Sequence, residues 1–241
     1  MCWSRRAVPV ESHDLLRVIN IFLGHYGIGF GAKKWAPQVS LGTLFLATQF
    51  LDLLWPVLVL LGVEEVTINS GGVTGPPLEF ISYPISHSLL FACFWAFLLG
   101  IVHYWFRRHI AAALVLGIAV LSHWLLDLLV HYPDLPLYPA GPKVGFGLWS
   151  RPLTALTVEL LIFAGGLVLY TRSTRARDGF GRWGLWSLVL FLISIHLANY
   201  FGPPPPTVAA VAWSGLAQWL LVAWGYWLDH HRQYVKILSN A

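Results

Sequence analysis

Charged residues are scarce in this sequence: Asp, Glu, Lys and Arg together make up 11% of its 241 residues. Soluble domains carry about 25%. Hydrophobic residues make up 57%, and the mean hydropathy is +0.65. This composition excludes a disordered chain, a coiled coil and an ordinary soluble enzyme. The polar residues are too few to cover a globule, so lipid must cover much of the surface.

Cysteine is scarce as well. Cys2 and Cys93 are too few for a disulfide framework, and their spacing is not that of a zinc finger. A secretory signal is not expected, because Arg5 and Arg6 precede a weak apolar stretch that Arg17 interrupts. The net charge of +4 comes from basic residues at the ends of apolar runs. That placement indicates contact with lipid headgroups rather than with nucleic acid.

Long apolar stretches make up most of the sequence. A helix that spans a membrane needs about 20 consecutive, mostly apolar residues. Six stretches qualify, at about 39–62, 85–106, 110–131, 153–171, 184–201 and 208–228. A Gly-rich stretch at about 15–31 predicts a seventh span or a re-entrant helix. The sequence therefore predicts an all-α polytopic transmembrane bundle, with residues 1–241 forming a single integral membrane domain.

The basic residues alternate between the connections, which predicts the topology. With six spans, one side holds 13 Lys and Arg and the other holds 2; with seven spans the split is 10 to 5. Both counts place Lys33 and the C-terminus in the cytoplasm. The expected location is a bacterial-type inner membrane, and the expected partners are membrane lipids, with self-association left open.

Ionisable side chains inside spans cost about 2.5–3.5 kcal/mol each at the bilayer centre. Those in the apolar stretches are His25, Asp52, His87, His103, His123, Asp127, Glu159 and His196. His123, Asp127 and His131 stand at i, i+4 and i+8, so they share one helical face. This spacing suits two metal ligands on one face, and it equally suits a structural hydrogen-bonded pair.

Depth in the membrane favours the metal interpretation. With the predicted topology, most of these groups fall in the outer half of the bilayer, whereas His103 falls at the cytoplasmic interface. Imidazoles and carboxylates from several helices suit a divalent ion, with Zn preferred and Mn or Fe as alternatives. Such an ion would lower the pKa of a bound water.

Four sequence elements resemble the YdjM-like family of inner-membrane proteins, which is regarded as a family of metal-dependent hydrolases. They are GHYGIGFGAKK (24–34), ATQFLDLLWP (47–56), PISHSLL (84–90) and LSHWLLDLLVHYPDLPLYP (121–139). The resemblance covers about residues 20–150, and about 151–241 adds three helices. It matches His25, Asp52, His87, Ser88, Ser122, His123 and Asp127 to the family's elements.

The resemblance implies metal binding by His25, Asp52, His87, His123 and Asp127. Asp52 stands alone where the family usually has two Asp, and Ser86 replaces a Thr. His131, Glu159 or His196 are candidates to replace the missing ligand, and we include His131 among the predicted metal ligands. The predicted catalytic residues are Asp127 and Glu159, which would accept or relay a proton, and Ser88, which would orient a ligand or substrate. Similar patterns in zinc-dependent phospholipase C-like proteins suggest a phosphoester substrate.

Two other functions fit the same residues. A transporter or channel would line an ion path with them, and broken helices would favour it. A b-type haem protein would pair His123 with His196, or His25 with His87. Several groups are expected to have no site role: Glu64, Glu65 and Glu79 should solvate the outer loop, and His109, His230 and His231 should lie at the membrane interface.

Overall fold

The computed structural model describes residues 22–68 and 77–235. The described part contains ten α-helices: α1 (Leu23–Ala32), α2 (Leu41–Thr48), α3 (Phe50–Leu60), α4 (Pro84–His87), α5 (Leu89–Arg107), α6 (Ile110–Val130), α7 (Pro152–Ser173), α8 (Gly179–Phe201), α9 (Val208–Leu216) and α10 (Gln218–His230). A short 3₁₀ helix (Leu148–Ser150) precedes α7.

The described part also holds three small antiparallel strand pairs that the sequence analysis did not predict. They are β1 (Glu65–Ile68) with β2 (Leu78–Ser82), β3 (Leu135–Pro136) with β4 (Lys143–Val144), and β5 (Thr174–Ala176) with β6 (Arg232–Tyr234). Each pair lies in a connection between helices or beside one. The protein is therefore an all-α membrane bundle, as predicted.

Five helical stretches in the described part of the chain are long and apolar enough to cross a membrane. They are α5, α6, α7, α8 and the combined α9–α10 stretch from Val208 to His230. The predicted span at 39–62 is not straight, because α2 and α3 meet at Gln49 with a bend of 58°. The bend leaves carbonyl groups at the end of α2 without an intrahelical partner. Within residues 22–68 and 77–235, the bundle thus has five candidate spans, or six if the bent pair counts as one.

Helix α1 lies in the centre of the bundle. Nine of its ten residues are buried, and a helix of this length reaches only about 15 Å. It packs so closely on α7 that a Cβ added at Gly166 would overlap the backbone of Gly27. Small residues allow such backbone contact between membrane helices. The first part of the predicted 15–31 segment, residues 15–21, lies outside the described residues.

The strand pairs organise the two ends of the bundle. At one end, the hairpin of β1 and β2 buries Phe80, whose ring packs against Trp55 and His131. At the other end, β5 and β6 join the α7–α8 connection to the chain that follows α10. The two connections therefore lie on the same side of the bundle, as the alternating charge pattern predicted.

Candidate metal centre

Five ionisable side chains from four helices converge in the interior of the bundle. They are His25 of α1, Asp52 of α3, His87 of α4, and His123 and Asp127 of α6. We call this set the His/Asp cluster. Within it, two groups of three could each hold a metal ion: His25 with Asp52 and His123, and His87 with His123 and Asp127. The cluster is almost completely shielded from solvent, because the four residues other than Asp52 are buried.

Asp127 connects three of the histidines. One carboxylate oxygen, Oδ1, lies 3.3 Å from Nε2 of His25, and the other, Oδ2, lies 3.3 Å from Nε2 of His123 and 3.7 Å from Nε2 of His87. Asp52 Oδ1 lies 3.4 Å from His87 Nε2 and 3.6 Å from His123 Nε2. The predicted shared face of His123 and Asp127 on α6 is confirmed. The long-range contacts with the other helices complete the cluster.

The bend between α2 and α3 orients His123. Its Nδ1 lies 2.7 Å from the backbone carbonyl oxygen of Thr48, the last residue of α2. A carbonyl can only accept, so Nδ1 carries the proton and donates it. In the neutral ring, Nε2 then presents a lone pair to the carboxylates. This is the arrangement usual for a histidine ligand, whose second nitrogen is held by a carbonyl or a carboxylate.

A chain of two hydrogen bonds orients His87. Ser86 Oγ donates to Glu64 Oε2 over 2.6 Å and lies 2.7 Å from His87 Nδ1. Because the single hydroxyl proton goes to the carboxylate, the Ser86 oxygen accepts from His87 Nδ1–H, and His87 Nε2 also faces the cluster with a lone pair. Glu64 Oε1 accepts from the backbone N–H groups of Ile85 and Ser86, which fixes the start of α4.

Glu64 corrects an expectation from the sequence. It was expected to solvate the outer loop, but it is 2% exposed and its carboxylate contacts α4. Buried carboxylates need hydrogen-bond donors, and Ser86 and the α4 backbone supply three. No sequence motif links Glu64 to His87, because the contact depends on how the loop folds back on α4.

The dimensions of the cluster suit a small divalent ion. The N–O distances of 3.3–3.7 Å are close to the ligand–ligand separation of about 3.3–3.4 Å in a tetrahedron with bonds of about 2.0–2.1 Å. A void of about 10 Å³ adjoins Asp52, His87 and Asp127, about the room for one water or one ion.

Buried atoms without a well-aligned hydrogen bond support the same fit. His25 Nε2 and His123 Nε2 each lie 3.3 Å from an Asp127 oxygen, but neither nitrogen, nor Asp127 Oδ2, has hydrogen-bond geometry with any described residue. Buried polar atoms without partners are rare in folded proteins and call for an explanation. The residue types, two carboxylates and three imidazoles, are those that Zn, Mn and Fe prefer. The cluster therefore fits the predicted metal.

His131 lies beside the cluster rather than in either group of three. Its Nδ1 is 2.9 Å from Asp134 Oδ1 and 3.5 Å from the Tyr83 hydroxyl, and its ring packs on Trp149. It borders the same small void as Asp52 and Asp127. Burial raises the pKa of the Tyr83 hydroxyl, and the charge of Asp134 raises it further. Tyr83 therefore keeps its proton.

Ser88 and Glu159 have local structural roles in addition to any catalytic one. Ser88 is the N-cap of α5 and accepts from the Phe91 N–H over 3.3 Å. Glu159 Oε2 accepts from the backbone N–H groups of Phe22 and Leu23 at 3.0 and 3.1 Å, at the start of α1. The catalytic roles of both residues stay predictions.

His196 belongs to the surroundings of Glu159 and not to the His/Asp cluster. Its Nδ1 is 3.7 Å from Glu159 Oε2, and its ring packs edge-on against Tyr200. His103 lies at the opposite end of the bundle, near the C-terminus of α5. Neither His196 nor His103 is therefore close enough to the His/Asp cluster to join it.

A larger cavity leads towards the cluster from the side. It has a volume of about 240 Å³, lies between α3, α8 and α9, and reaches Asp52 and Trp55. Its other polar contacts are Asn199, Ser214 and Gln218, and the described lining residues include no Lys or Arg. Asp52 borders both this cavity and the small void, so it is the cluster residue that a ligand in the cavity would reach.

Comparison with known proteins gives one match. The model of the YdjM inner membrane protein family matches residues 73–202, more than half of the chain. The matched range contains His87, His123, Asp127 and Glu159, whereas His25 and Asp52 precede it, so it overlaps the resemblance at about 20–150 only in part. No curated protein and no solved structure matches the chain. With the membrane-spanning helices, the match shows that the chain belongs to the YdjM inner membrane protein family.

Proposed function

We propose that this protein is a membrane-embedded, metal-dependent hydrolase that acts on a phosphoester of a lipid at the membrane surface. The observation that carries the proposal is the His/Asp cluster, whose ligand atoms lie close enough together to hold an ion; a void of the size of an ion adjoins three of its residues, Asp52, His87 and Asp127. The metal is proposed to be Zn, with Mn or Fe as alternatives. The proposal includes the orientation that the positive-inside rule favours, with the cluster in the outer half of the bilayer and the C-terminus in the cytoplasm.

Each residue of the His/Asp cluster has a proposed role in this reaction. His25, His87 and His123 present nitrogen lone pairs, and Asp52 and Asp127 supply the negative charge. When bound, a divalent ion supplies Lewis acidity and lowers the pKa of water. Asp127 is proposed to hold the proton that the water releases, because its two oxygens face different histidines. The buried surroundings strengthen each of these electrostatic interactions.

The cavity beside Asp52 suggests the class of substrate. Its walls combine apolar side chains, including Phe22, Trp55 and Ile195, with the neutral polar groups of Asn199 and Gln218. Such a lining suits an amphipathic molecule whose reactive polar part points to Asp52. Because the described lining offers no Lys or Arg, the metal would have to balance the charge of a phosphoester.

Metal analysis is the first test. Protein purified in detergent is analysed by mass spectrometry for Zn, Mn and Fe, as wild type and as the His123→Ala, Asp127→Ala double variant. The matched control is Ser122→Ala, because Ser122 lies next to His123 but bonds the carbonyl of Ala119 in its own helix. We expect stoichiometric metal in the wild type and the control, and loss in the double variant. Equal metal in all three would contradict the proposal.

Activity is the second test. Wild-type protein in mixed micelles is given phospholipids and lipid pyrophosphates, and release of phosphate or headgroup is measured. Hydrolysis is expected to stop with a chelator and to return with the metal found in the purified protein. A metal-loaded protein that hydrolyses none of these lipids would rule out the substrate class while leaving the metal site intact.

A transporter is the second candidate, and the bend between α2 and α3 favours it. Discontinuous helices mark substrate sites in many transporters, and here the broken end supplies the Thr48 carbonyl to His123. Metal uptake into proteoliposomes, compared between the wild type and Asp127→Ala, distinguishes it from the hydrolase.

The haem alternative finds no support in the arrangement of the histidines. Of the two expected pairs, His123 and His196 are separated, because His196 lies beside Glu159 and outside the His/Asp cluster. His25 and His87 both contact the Asp127 carboxylate, whereas a haem would have to lie between their rings.

A further inference from the structure

The end of the bundle opposite the His/Asp cluster carries a second, separate feature. A groove of about 770 Å³ opens between the C-terminal half of α5 and the neighbouring ends of α2 and α10. We call it the basic groove. Its walls come from the α1–α2 connection, the start of α2, the C-terminal half of α5 and the C-terminal part of α10.

The groove exists because α5 stands apart from the rest of the bundle. Helix α5 packs on α6, where Gly100 lies close to Ala113 and Gly117 lies close to Ala96. Ala92 is the buried residue of α5, and the rest of this 19-residue helix is exposed or half-buried. The side of α5 that faces α2 and α10 therefore leaves an open cleft towards the lipid.

The groove is apolar on one side and basic on the other. Leu99, Val102 and Phe106 form an apolar wall along α5, while Arg107, His103 and His230 form the polar part. The one acidic residue in the lining, Asp229, does not oppose this charge. Its carboxylate is paired with the buried Lys33 ammonium group at 2.9 and 3.1 Å. Arg107 therefore carries a full positive charge that no acidic residue of the described lining balances.

The polar part of the groove lies at the level of lipid headgroups. Trp105 is 68% exposed, and the guanidinium group of Arg108 lies over its ring at 5.5 Å. Exposed Trp side chains next to Arg are typical of the membrane–water interface. The basic charge of this end of the bundle predicts that it faces the cytoplasm, where anionic lipids attract basic residues.

We propose that the basic groove is a binding site for one anionic phospholipid, independent of the proposed hydrolase activity. Arg107 would pair with the headgroup phosphate, and His103 and His230 would donate hydrogen bonds to it. The hydroxyl groups of Ser40 and Tyr226 would meet the glycerol end. One acyl chain would lie along Leu99 and Val102. Basic pockets between membrane helices on the cytoplasmic side are the expected sites for such headgroups.

Native mass spectrometry of the full chain tests this proposal. Protein in detergent is mixed with phosphatidylglycerol or with phosphatidylcholine, and the retained lipid is counted. The variants are Arg107→Gln, which removes the charge, and Val102→Trp, which fills the apolar wall. Arg175→Gln is the matched control, because Arg175 is also exposed and lies in β5, away from the groove. Inorganic phosphate serves as a competitor.

The wild type should retain phosphatidylglycerol in preference to phosphatidylcholine. Arg107→Gln should weaken retention about fivefold, the ratio that about 1 kcal/mol per basic residue corresponds to. Val102→Trp should weaken it too, and Arg175→Gln should not. Equal retention of both lipids, or equal losses in Arg107→Gln and Arg175→Gln, would overturn the proposal. Displacement of the lipid by millimolar phosphate would identify a site for the free anion instead.

Discussion

The imidazole rings of His25 and His123 lie parallel, with their centroids 3.8 Å apart and an angle of 4° between their planes. The two residues belong to α1 and α6, and their Nε2 atoms reach opposite oxygens of Asp127. The contact thus combines ring packing with the placement of two nitrogen atoms that are proposed metal ligands. The two contributions can be separated by mutation.

The variant His25→Phe should keep the ring stacking and lose the ligand atom. We expect its unfolding temperature in detergent to lie above that of His25→Ala, because the Phe ring fills the space that the smaller side chain leaves empty. Its metal content should fall. His25→Ala, as the comparison, should lose both stability and metal. Full metal occupancy in His25→Phe would remove His25 from the ligand set.

Ser86 should be important for metal affinity although it is not a ligand. Ser86→Ala breaks the connection between Glu64 and His87 Nδ1, and loss of such a partner typically costs 10–100-fold in affinity. Ser86→Thr keeps the hydroxyl group and should retain wild-type affinity. Competition with a fluorescent chelator measures the difference. Equal affinities for the two variants would show that His87 does not depend on this contact.

Two variants of Glu159 can distinguish its structural role at the start of α1 from its predicted catalytic role. Glu159→Leu leaves the N–H groups of Phe22 and Leu23 without their acceptor, at a cost of about 1–3 kcal/mol for each unsatisfied donor. Glu159→Gln keeps a carbonyl oxygen and should unfold near the wild-type temperature. If Glu159 relays a proton, Glu159→Gln should also lose hydrolysis while retaining metal. Wild-type activity in Glu159→Gln would show that Glu159 only accepts hydrogen bonds at the start of α1 and relays no proton.

Gly165 and Gly166 form a matched pair on α7. A Cβ at Gly166 would overlap the Gly27 carbonyl, whereas a Cβ at Gly165 meets nothing within 4 Å. Gly166→Ala should push α1 away, lower stability by about 1–3 kcal/mol and reduce metal content, because α1 carries His25. Gly165→Ala should leave both unchanged. Similar thermal unfolding of the two variants would argue against backbone contact between α1 and α7.

Asp178 should make stability depend on pH at the predicted cytoplasmic end. The hydrogen bond from His231 Nδ1, followed by that from the Gly181 N–H, lowers the pKa of the Asp178 carboxyl. The stabilisation is therefore complete above its ordinary pKa of about 4 and is lost as the pH falls through the lowered value. Asp178→Asn should unfold at a lower temperature than the wild type at pH 7, with the gap closing as the pH falls through the lowered pKa of Asp178. A gap that does not depend on pH would assign the effect to the helix cap alone.

The sequence predicts the features of the fold and of the cluster that depend on the spacing of residues close together in the chain. The i, i+4 relation of His123 and Asp127 and the long apolar stretches of α5 to α8 follow from helical periodicity and length. The sequence does not predict the contacts of Glu64 with Ser86, or of Thr48 with His123, because they join residues that are distant in the chain or use the backbone. The bend at Gln49 also has no clear sequence signal, since the residues around it read as one apolar run.

The position of α1 has a consequence for the order in which the protein assembles. Chains emerge from the ribosome N-terminus first, and His25 is on the first described helix, yet nine of the ten residues of α1 are buried, many of them against α7. The helix has no lipid-facing side on which it could rest alone. The His/Asp cluster is therefore expected to be complete only after Pro152–Ser173 has been synthesised and inserted, so that capture of the proposed metal would be a late step in biogenesis.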